Sequence, residues 1–301
     1  MKLLFMLKAI NITKQFGEIF ALKNLSFSVE RQTIFCLVGP DGAGKSTLLR
    51  ILAGVLKPTN GNVYLNEIDI SSLSDYKYKI SYMPQNFGLY EDLTVEENLH
   101  FIGKLFGIPS KEREKRIERL YRFSNLRPFK NRLAGRLSGG MKQKLGLMCA
   151  LMHNPEILIL DEPTNGVDPV SRREFWDVLY ELLKDGATII VSTAYLDEAE
   201  RASKIGLLYQ GEFIFSDEAS KIRELARETF FEINNENSLK LGRILSEKLG
   251  LDVFVRGNSL RFFTERKDKI IELLKDENIS DWSIKEPSLE DIFVRCIKER
   301  N

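Results

Sequence analysis

Short apolar runs bounded by turn residues open the chain and predict the strands of a sheet. These runs are Leu7–Ile12, Ala21–Val29, Ile34–Val38 and Asn62–Asn66. The run Ile34–Val38 is apolar throughout, which is typical of a strand that is buried on both faces. We therefore expect a central buried strand that leads the chain directly into Gly39.

In the middle of the chain the spacing of apolar residues changes to that of helices. The predicted helices are Thr94–Leu105, Lys111–Ser124 and Met141–His153, and we interpret the stretch as a helical insert. Continuous apolar runs return at Ile157–Leu160 and Thr188–Ser192, on either side of a predicted helix at Ser171–Lys184. This order predicts a parallel strand–helix–strand unit.

A different pattern follows Ser216. After a charged helix at Glu218–Glu228, we expect strands at Thr229–Asn234, Asp252–Arg256, Ser259–Thr264 and Ser280–Lys285, and helices at Leu239–Lys248, Lys267–Asp276 and Leu289–Lys298. Because this is a βαββαβ order with one more helix, it predicts a small ferredoxin-like domain. The predicted domains are residues 1–222, with a helical subdomain at about 86–155, and residues 228–301.

Length and charge are consistent with this division and narrow the function. A chain of 301 residues is long enough for about two domains. The 44 basic and 43 acidic residues leave a net charge of +1, so nucleic acid is not an expected partner. The basic run Lys111–Arg122 is interleaved with glutamates, and its spacing predicts surface ion pairs of Glu112 with Arg116 and of Glu118 with Arg122.

Cysteine spacing argues against a disulfide-rich or zinc-binding protein, and hydropathy argues against a secreted or membrane-spanning one. Cys36, Cys149 and Cys296 are widely separated, which indicates neither a disulfide framework nor a zinc site. The apolar run Leu3–Leu7 is too short for a signal-peptide core, and no run approaches the ~18 apolar residues of a membrane span. A role at a membrane would therefore require a partner.

A phosphate-binding loop is predicted where the buried strand Ile34–Val38 meets a helix. The sequence Gly39-Pro40-Asp41-Gly42-Ala43-Gly44-Lys45-Ser46 fits the pattern G-x-x-x-x-G-K-[ST], and Thr47 continues it into the helix. The glycines let backbone N–H groups close around phosphate oxygens. Lys45 then supplies a charge to the β- and γ-phosphates, and the Ser46 hydroxyl can bind Mg²⁺.

Two carboxylates, Asp161 and Glu162, follow the apolar run Ile157–Leu160. They fall at the carboxyl end of a buried strand, where ligands gather in open α/β sheets. Asp161 suits the outer coordination of Mg²⁺, and Glu162 suits the polarisation of an attacking water molecule. In isolation an exposed acidic turn would be the better interpretation, but the phosphate-binding loop favours the functional one.

A second anion-binding helix start is predicted at Ser138. The sequence Leu137-Ser138-Gly139-Gly140 offers an N-cap serine, and its two glycines let another molecule approach the backbone. With only one nucleotide motif in the chain, this second helix start suggests that each chain completes the site of another.

Together these motifs resemble the nucleotide-binding subunit of an ATP-binding cassette (ABC) transporter. The phosphate loop corresponds to Walker A, the strand that ends in Asp161-Glu162 to Walker B, and Ser138–Gly140 to the signature. The resemblance implies that Phe16 stacks on adenine, that Gln85 is the Q-loop glutamine that reaches Mg²⁺, and that the D-loop Asp168 crosses between subunits. It also implies an α/β fold, with a P-loop ABC ATPase core, an antiparallel β subdomain and a helical insert.

Further segments resemble ATPases of ABC-2-type exporters, among them drug-resistance and multidrug ATPases. They are Gly88–Val95, Tyr195–Glu200 and Glu286–Phe293. The subgroup implies ABC-2-type permease subunits as partners at the cytoplasmic face of the inner or cell membrane, and in some cases a periplasmic adaptor protein. It also implies a coupling helix docked near Gln85, for which Phe87, Leu89 and Tyr90 are candidate apolar anchors unless they pack inside the insert.

At one position the chain departs from its family. Where the family has the H-loop histidine that contacts the γ-phosphate, Ser192-Thr193-Ala194-Tyr195 has alanine. Loss of such a contact typically costs ~2.7–4 kcal/mol in the transition state, which predicts slow turnover at this site. We therefore expect an ATPase that pairs with itself or with a related cassette that retains its histidine. The alternative is a soluble regulatory or non-transport ABC ATPase that binds ATP with little hydrolysis.

Overall fold

A computed structural model describes residues 5–225, 228–235, 237–277 and 279–298. The chain divides into two compact units, Met1–Ala219 and Ser220–Asn301. No helix in those described ranges is both long and apolar enough to cross a bilayer.

Two sheets form the first unit. The antiparallel sheet has the order β2-β1-β4-β5 and consists of β1 (Phe5–Phe16), β2 (Ile19–Glu30), β4 (Asn60–Leu65) and β5 (Ile68–Asp69). The second sheet has the order β10-β9-β3-β8-β7-β6 and consists of β3 (Ile34–Val38), β6 (Ile80–Met83), β7 (Ile157–Asp161), β8 (Thr188–Thr193), β9 (Lys204–Tyr209) and β10 (Glu212–Glu218).

The parallel part of the second sheet positions the site. Strands β3, β8, β7 and β6 run in one direction, and Val38 pairs with Thr193 while Asp161 pairs with Ser192. All residues of β3, β7 and β8 are buried, as their apolar sequences predict. The chain therefore leaves three adjacent strands at the same edge, at Gly39, Glu162 and Ala194.

Helices of the first unit flank the sheets and form the insert. They are α1 (Lys45–Leu52), α2 (Tyr76–Lys79), α3 (Val95–Leu105), α4 (Ser110–Ser124), α5 (Gly139–Leu151), α6 (Pro169–Lys184) and α7 (Leu196–Ala199). Helices α3, α4 and α5 share an apolar core of their own, which includes Leu99, Ile117 and Leu145. The start of α3 is fixed by a capping box between Thr94 and Glu97, so the predicted helical insert is confirmed.

The second unit has the predicted βαββαβ order. Its strands are β11 (Thr229–Asn234), β12 (Phe254–Arg256), β13 (Ser259–Thr264) and β14 (Trp282–Lys285), and its helices are α8 (Ser238–Leu249), α9 (Lys267–Asp276) and α10 (Leu289–Lys298). The strands are all antiparallel in the order β12-β13-β11-β14, which is the ferredoxin-like arrangement. The apolar core of this unit includes Phe231, Leu245 and Phe262.

Some local expectations were wrong. The charged helix expected at 218–228 is instead the end of β10 and a 3₁₀ turn at Ala219–Leu225, and residues 226 and 227 lie outside the described residues. On α4 the predicted pair of Glu112 and Arg116 is present with Nε and Oε1 3.0 Å apart. Glu118 pairs with Arg127 rather than with Arg122, because the chain after α4 turns back toward it.

Candidate active site

Lys45 begins α1, and its side chain lies inside the loop that precedes the helix. Its Nζ donates to the carbonyl oxygens of Gly39 at 2.8 Å and Pro40 at 3.1 Å, and lies 3.0 Å from Glu162 Oε1. The side chain is only 4% exposed. The loop closes this tightly because Gly44 has φ +107° and a Cβ on Gly39 would stand 2.1 Å from the Leu208 carbonyl oxygen.

Asp161 ends β7 and is 1% exposed. Its Oδ1 accepts hydrogen bonds from Ser46 Oγ at 3.0 Å and Ser192 Oγ at 2.8 Å, and its Oδ2 accepts one from the Tyr82 hydroxyl at 3.2 Å. Burial, together with the charge of Asp161, raises the pKa of Tyr82, which keeps that hydroxyl a donor. Sequence reasoning named Asp161 and Ser46 but missed Tyr82 and Ser192, which lie on the two strands that flank β7.

Glu162 adopts a left-handed backbone conformation, with φ +47°, which is costly for a residue with a Cβ. Its backbone N–H donates to Ser192 Oγ at 2.9 Å, and its Oε2 accepts from Gln85 Nε2 at 3.2 Å and Asn165 Nδ2 at 3.3 Å. With Lys45 on Oε1, both carboxylate oxygens have partners. The neighbouring groups therefore fix Glu162 and aim its carboxylate toward Lys45.

Oxygen donors at this edge suit a magnesium ion. The Ser46 hydroxyl and the Asp161 carboxylate are 3.0 Å apart. The Gln85 amide donates its N–H to Glu162, so its oxygen can serve as a metal ligand. Mg²⁺ prefers such hard oxygen ligands and is usually held by one or two protein groups together with substrate phosphates. The residues present therefore fit the ion that the sequence predicts.

The predicted anion-binding helix start lies at the N-terminus of α5. Ser138 is the N-cap, and its Oγ accepts from the Met141 N–H at 3.4 Å. A Cβ on Gly139 would have only the Gly166 carbonyl oxygen within reach, at 4.0 Å, whereas one on Gly140 would lie 2.6 Å from Ser171 Cβ. Gly140 is thus needed for packing within the chain, while Gly139 leaves the backbone open to another molecule.

Asp168 forms an intrachain cap. Its Oδ1 accepts from the backbone N–H groups of Val170 at 3.0 Å and Ser171 at 2.9 Å at the start of α6. The bonds from Ser171 and Val170 lower the pKa of Asp168. An immediate structural role therefore accompanies any contact that Asp168 makes with another subunit.

Phe16 lies at the tip of the β1–β2 hairpin and is 50% exposed. The Nζ of Lys14 stands 4.9 Å from its ring centroid. Lys14 thus lies over one face of the ring. An exposed aromatic ring can stack on a planar base, which is the role that the resemblance implies. The structure thus gathers Lys45, Ser46, Gln85, Asp161 and Glu162, while Phe16, Ser138–Gly140 and Asp168 contact other parts of the same unit.

Ala194 follows β8 and is exposed, and neither histidine of the chain takes its place. His100 Nδ1 accepts a hydrogen bond from Arg113 Nε at 3.0 Å within the insert. His153 Nε2 contacts the Ile80 carbonyl oxygen at 2.8 Å, and its ring stacks on Phe106. Both histidines are therefore engaged in local contacts.

Comparison with known proteins identifies the family. Residues 22–165 match the family described as ABC transporter. The chain is 40% identical over 280 residues to the probable multidrug ABC transporter ATP-binding protein YbhF of Escherichia coli (strain K12), covering 91% of this chain and 48% of that protein. It therefore spans about half the length of YbhF.

A second relative aligns over nearly its whole length. The chain is 32% identical over 302 residues to the linearmycin resistance ATP-binding protein LnrL of Bacillus subtilis (strain 168), covering 96% of this chain and 97% of that protein. A solved dimeric post-hydrolysis structure of the ATP-binding cassette MJ0796 with ADP and Pi is 32% identical, with a TM-score of 0.64 over 71% of this chain and 99% of that one. The chain belongs to the family of ATP-binding subunits of ABC transporters.

Proposed function

Within this family, we propose that the chain powers an ABC-2-type exporter of drugs or other amphipathic or lipid-like compounds. The observation that carries the proposal is the cluster at the carboxyl ends of β3 and β7, where Lys45 contacts Glu162 and Ser46 is hydrogen-bonded to Asp161. The names of YbhF and LnrL refer to multidrug transport and to linearmycin resistance, and they support this class of cargo.

Each member of the cluster has a role in this proposal. Lys45 binds the β- and γ-phosphates from inside the loop Gly39–Gly44 and stabilises the charge of the transferring phosphoryl group. Glu162 polarises the attacking water molecule, and the bond from Gln85 Nε2 keeps its carboxylate oriented. The adenine stacks on Phe16, whose ring is half exposed at the hairpin tip.

Ser46, Asp161 and Gln85 are the residues that would hold Mg²⁺. When bound, the ion neutralises charge on the phosphates. The hydroxyls of Tyr82 and Ser192 restrain the Asp161 carboxylate, so its orientation is set before nucleotide arrives. Preorganisation of this kind reduces the reorganisation that catalysis would otherwise require.

A second cassette completes the site in this proposal. Ser138, Gly139 and Gly140 of one chain cap the γ-phosphate held by its mate, and Asp168 lies at the same interface. The open backbone at Gly139 supports this, since a phosphate could approach it without a clash inside the chain. ATP then favours the closed dimer, and hydrolysis releases it, which can do work on a permease.

Ala194 lowers the rate of hydrolysis at this chain's own Walker A site in this proposal. The chain joins a related cassette that retains its histidine, or two copies of the chain act with reduced turnover. The test compares ATP turnover by the purified chain alone and with a related cassette from an adjacent reading frame. We expect slow turnover alone and a substantial increase in the mixture, and in Ala194→His. Equally fast hydrolysis by the chain alone would remove the reason for a heterodimer.

The permease is proposed to dock on the insert. Of the expected anchors, Phe87 and Leu89 pack against the core of the insert, which was the alternative interpretation of these residues. Tyr90 remains 49% exposed, and its ring lies 4.5 Å from that of Phe101, near the exposed Leu105 of the same helix. The docking surface proposed here is therefore Tyr90, Phe101 and Leu105.

In such an assembly the chain would lie at the cytoplasmic face of the inner or cell membrane. A periplasmic adaptor protein is a further proposed partner.

The membrane assembly is tested by purification from detergent-solubilised membranes. We expect the tagged chain to bring down a multi-spanning membrane protein, and Tyr90→Glu to lose that protein while retaining ATP binding. Glu162→Gln should retain nucleotide and abolish export measured in vesicles. Recovery with ribosomes or DNA-repair proteins, and not with a membrane protein, would contradict the proposal.

Ala194 favours one alternative, a regulatory ABC ATPase that binds ATP with little hydrolysis. Pre-steady-state measurements separate the two functions. An exporter subunit releases phosphate in each cycle, whereas a sensor binds ATP tightly and releases almost none.

A further inference from the structure

Next to the turns that follow β7 and β8 lies a buried carboxylate that has no role in the site described above. Glu198 belongs to α7, and its side chain is 2% exposed. Thr164 Oγ1 donates to both of its oxygens, at 2.8 and 2.9 Å, and Thr193 Oγ1 donates to Oε2 at 2.8 Å. Arg172 Nε stands 3.6 Å from Oε1. One acidic group therefore joins the turn after β7, the first turn of α6 and the end of β8.

Each of these segments also carries a residue of the site. Thr164 follows Glu162 in the same turn, in which the Asn165 N–H donates to the Glu162 carbonyl oxygen at 3.1 Å. Thr193 ends β8 immediately before Ala194, and its Oγ1 also accepts from the Tyr195 N–H at 3.0 Å. Glu198 thus contacts both the turn after β7 and the turn after β8.

The third segment leads to the signature. Arg172 lies in the first turn of α6, which Asp168 caps, and it follows Ser171, the residue packed closely against Gly140. The guanidinium of Arg172 also lies 4.1 Å from the ring centroid of Tyr195. Glu198 therefore pairs with an arginine that is one residue from the contact between Ser171 and the helix start that the proposed dimer uses.

Electrostatics make this arrangement specific. A buried carboxylate is costly unless hydrogen bonds and a counter-charge compensate it. Here two hydroxyls and one guanidinium do so, and Arg172 Nε is buried without a hydrogen-bond partner within the part of the chain that the structure describes. Because the compensating groups come from three segments, the carboxylate is satisfied only when all three are in place.

We propose that Glu198 is a positioning residue for ATP hydrolysis. It fixes Thr164 and Thr193, and these hold the turns on either side of Glu162, whose N–H is bonded to Ser192 on β8. Glu198 would thereby hold the turn that contains Ala194 in place, a restraint that a histidine at this position would otherwise supply through its contact with the γ-phosphate. The inference rests on the proposed role of Glu162 in polarising water.

The first test is Glu198→Gln in the full chain. Gln keeps the shape but loses the charge opposite Arg172 and one acceptor oxygen. We expect kcat to fall about tenfold, the effect of weakening one hydrogen bond to a buried charge. KM for MgATP and ATP affinity should stay within about twofold, because Glu198 does not contact Lys45, Ser46 or Asp161. Asp197→Asn, an exposed neighbour on α7, is the matched control and should leave kcat unchanged.

A second pair of variants keeps the test valid if Glu198→Gln does not fold. Thr164→Val removes the hydroxyl that donates to Glu198 at nearly constant volume, and Thr164→Ser retains it. We expect Val to lower kcat about tenfold and Ser to restore it to within about threefold. An equal loss in both variants would indicate a packing role for the threonine methyl and would overturn the inference.

A double-mutant cycle identifies the route. If Glu198 acts through Glu162, Glu198→Gln should cause a much smaller loss in a Glu162→Asp background, provided that this variant keeps a measurable rate, than in the wild-type chain. Unchanged kcat in Glu198→Gln, beside an inactive Glu162→Gln, would overturn this inference alone. An active Glu162→Gln would overturn the proposed role of Glu162 and with it the route through Glu198. A parallel loss of kcat and ATP affinity would also overturn it, since it would reveal general damage to the site.

Discussion

The carboxylate of Asp161 is held by three hydroxyl groups, each from a different element. Ser46 comes from α1, Ser192 from β8 and Tyr82 from β6. Of these, Ser46 is the group expected to bind the metal, so Tyr82 and Ser192 remain to orient Asp161 toward it. We therefore expect the hydroxyl of Tyr82 to influence the affinity for Mg²⁺ through Asp161, without binding the ion itself.

We expect Tyr82→Phe to weaken the apparent affinity for Mg²⁺ about three- to tenfold, as one hydrogen bond to a charged group is lost. Binding of ATP without metal should be unchanged, since Tyr82 does not contact Lys45. The measurement is a Mg²⁺ titration of ATPase activity at saturating ATP. Tyr78→Phe, which alters an exposed tyrosine on α2, is the control, and equal Mg²⁺ dependence in all three proteins would contradict the role of Tyr82.

His153 predicts a pH dependence of stability. Burial lowers the pKa of its imidazole, with the charge of Arg116 acting in the same direction and the bond to the Ile80 carbonyl oxygen opposing both. Its Nδ1 is buried and has no hydrogen-bond partner among the described residues, so a second proton would create an unsatisfied N–H. The unfolded chain binds this proton more readily. The contribution of His153 is therefore fully present above the unfolded pKa of about 6.5 and declines as pH falls toward the lower folded value.

We expect the free energy of unfolding to decrease between about pH 7 and 5 and His153→Gln to flatten this dependence. Glutamine can still donate to the Ile80 carbonyl oxygen but does not titrate. Urea unfolding at several pH values provides the measurement. The chain has only one other histidine, so His100→Gln is the matched control and should keep the wild-type slope. A steeper or unchanged slope in His153→Gln would contradict this assignment.

The start of α5 shows how one element serves packing and function at adjacent positions. Gly140 meets Ser171 of α6, and any Cβ there would clash at 2.6 Å. Among the described residues outside the helix's own backbone, a Cβ on Gly139 would meet only the Gly166 carbonyl oxygen, at 4.0 Å, and the φ of Gly139 does not lie in the left-handed region. The same pair of glycines therefore separates a requirement of the fold from a requirement of the proposed dimer.

A substitution at Gly140 should reduce the stability of the fold, whereas one at Gly139 should reduce association with the partner chain. Gly140→Ala should lower the free energy of unfolding by about 1–3 kcal/mol, the usual range for overpacking. Gly139→Asp should leave unfolding and ATP binding nearly unchanged but abolish nucleotide-dependent association, because its carboxylate would repel the partner's γ-phosphate. Chemical unfolding and light scattering with a non-hydrolysable ATP analogue measure both effects. Association that persists in Gly139→Asp would argue against the signature contact.

Elements could be predicted where the sequence alone determines them. The strand Ile34–Val38 is apolar throughout, Ser138 and Asp168 cap helices with their own side chains, and Gly257 turns the β12–β13 hairpin with a positive φ. Strand β6 was missed because its four residues mix polar and apolar types, and only pairing with β7 makes it a strand. Short elements of this kind depend on tertiary contacts.

The same distinction applies to the site. Lys45, Asp161 and Glu162 were predictable because their motifs are contiguous and follow buried strands. Tyr82, Ser192 and Glu198 were not, because they are ordinary residues until parallel pairing brings the ends of β6, β7 and β8 together. Their contribution is a property of sheet order, which no local pattern encodes.

At the scale of the whole molecule, the chain has one tryptophan in each compact unit. Trp176 lies on α6 and is buried in the first unit, and Trp282 lies on β14 and packs against Phe231 in the second. Lys45, Asp161 and Glu162 are all in the first unit. A ligand that binds only the folded form of that unit should stabilise it alone by mass action.

We therefore expect a non-hydrolysable ATP analogue at about 100 times its Kd to add about 2.7 kcal/mol to the first unit, which corresponds to a rise of about 5–10 °C in its Tm. Fluorescence of Trp282→Phe, which reports Trp176, should show this rise. Fluorescence of Trp176→Phe, which reports Trp282, should show a much smaller rise in Tm. The nucleotide-induced shifts are compared rather than the absolute Tm values, because Trp176→Phe leaves a cavity in the first unit. Lys45→Met should abolish the shift in the first unit. Equal shifts at both tryptophans would mean that the two units unfold as one cooperative structure, so that the ferredoxin-like unit registers the nucleotide bound at Lys45.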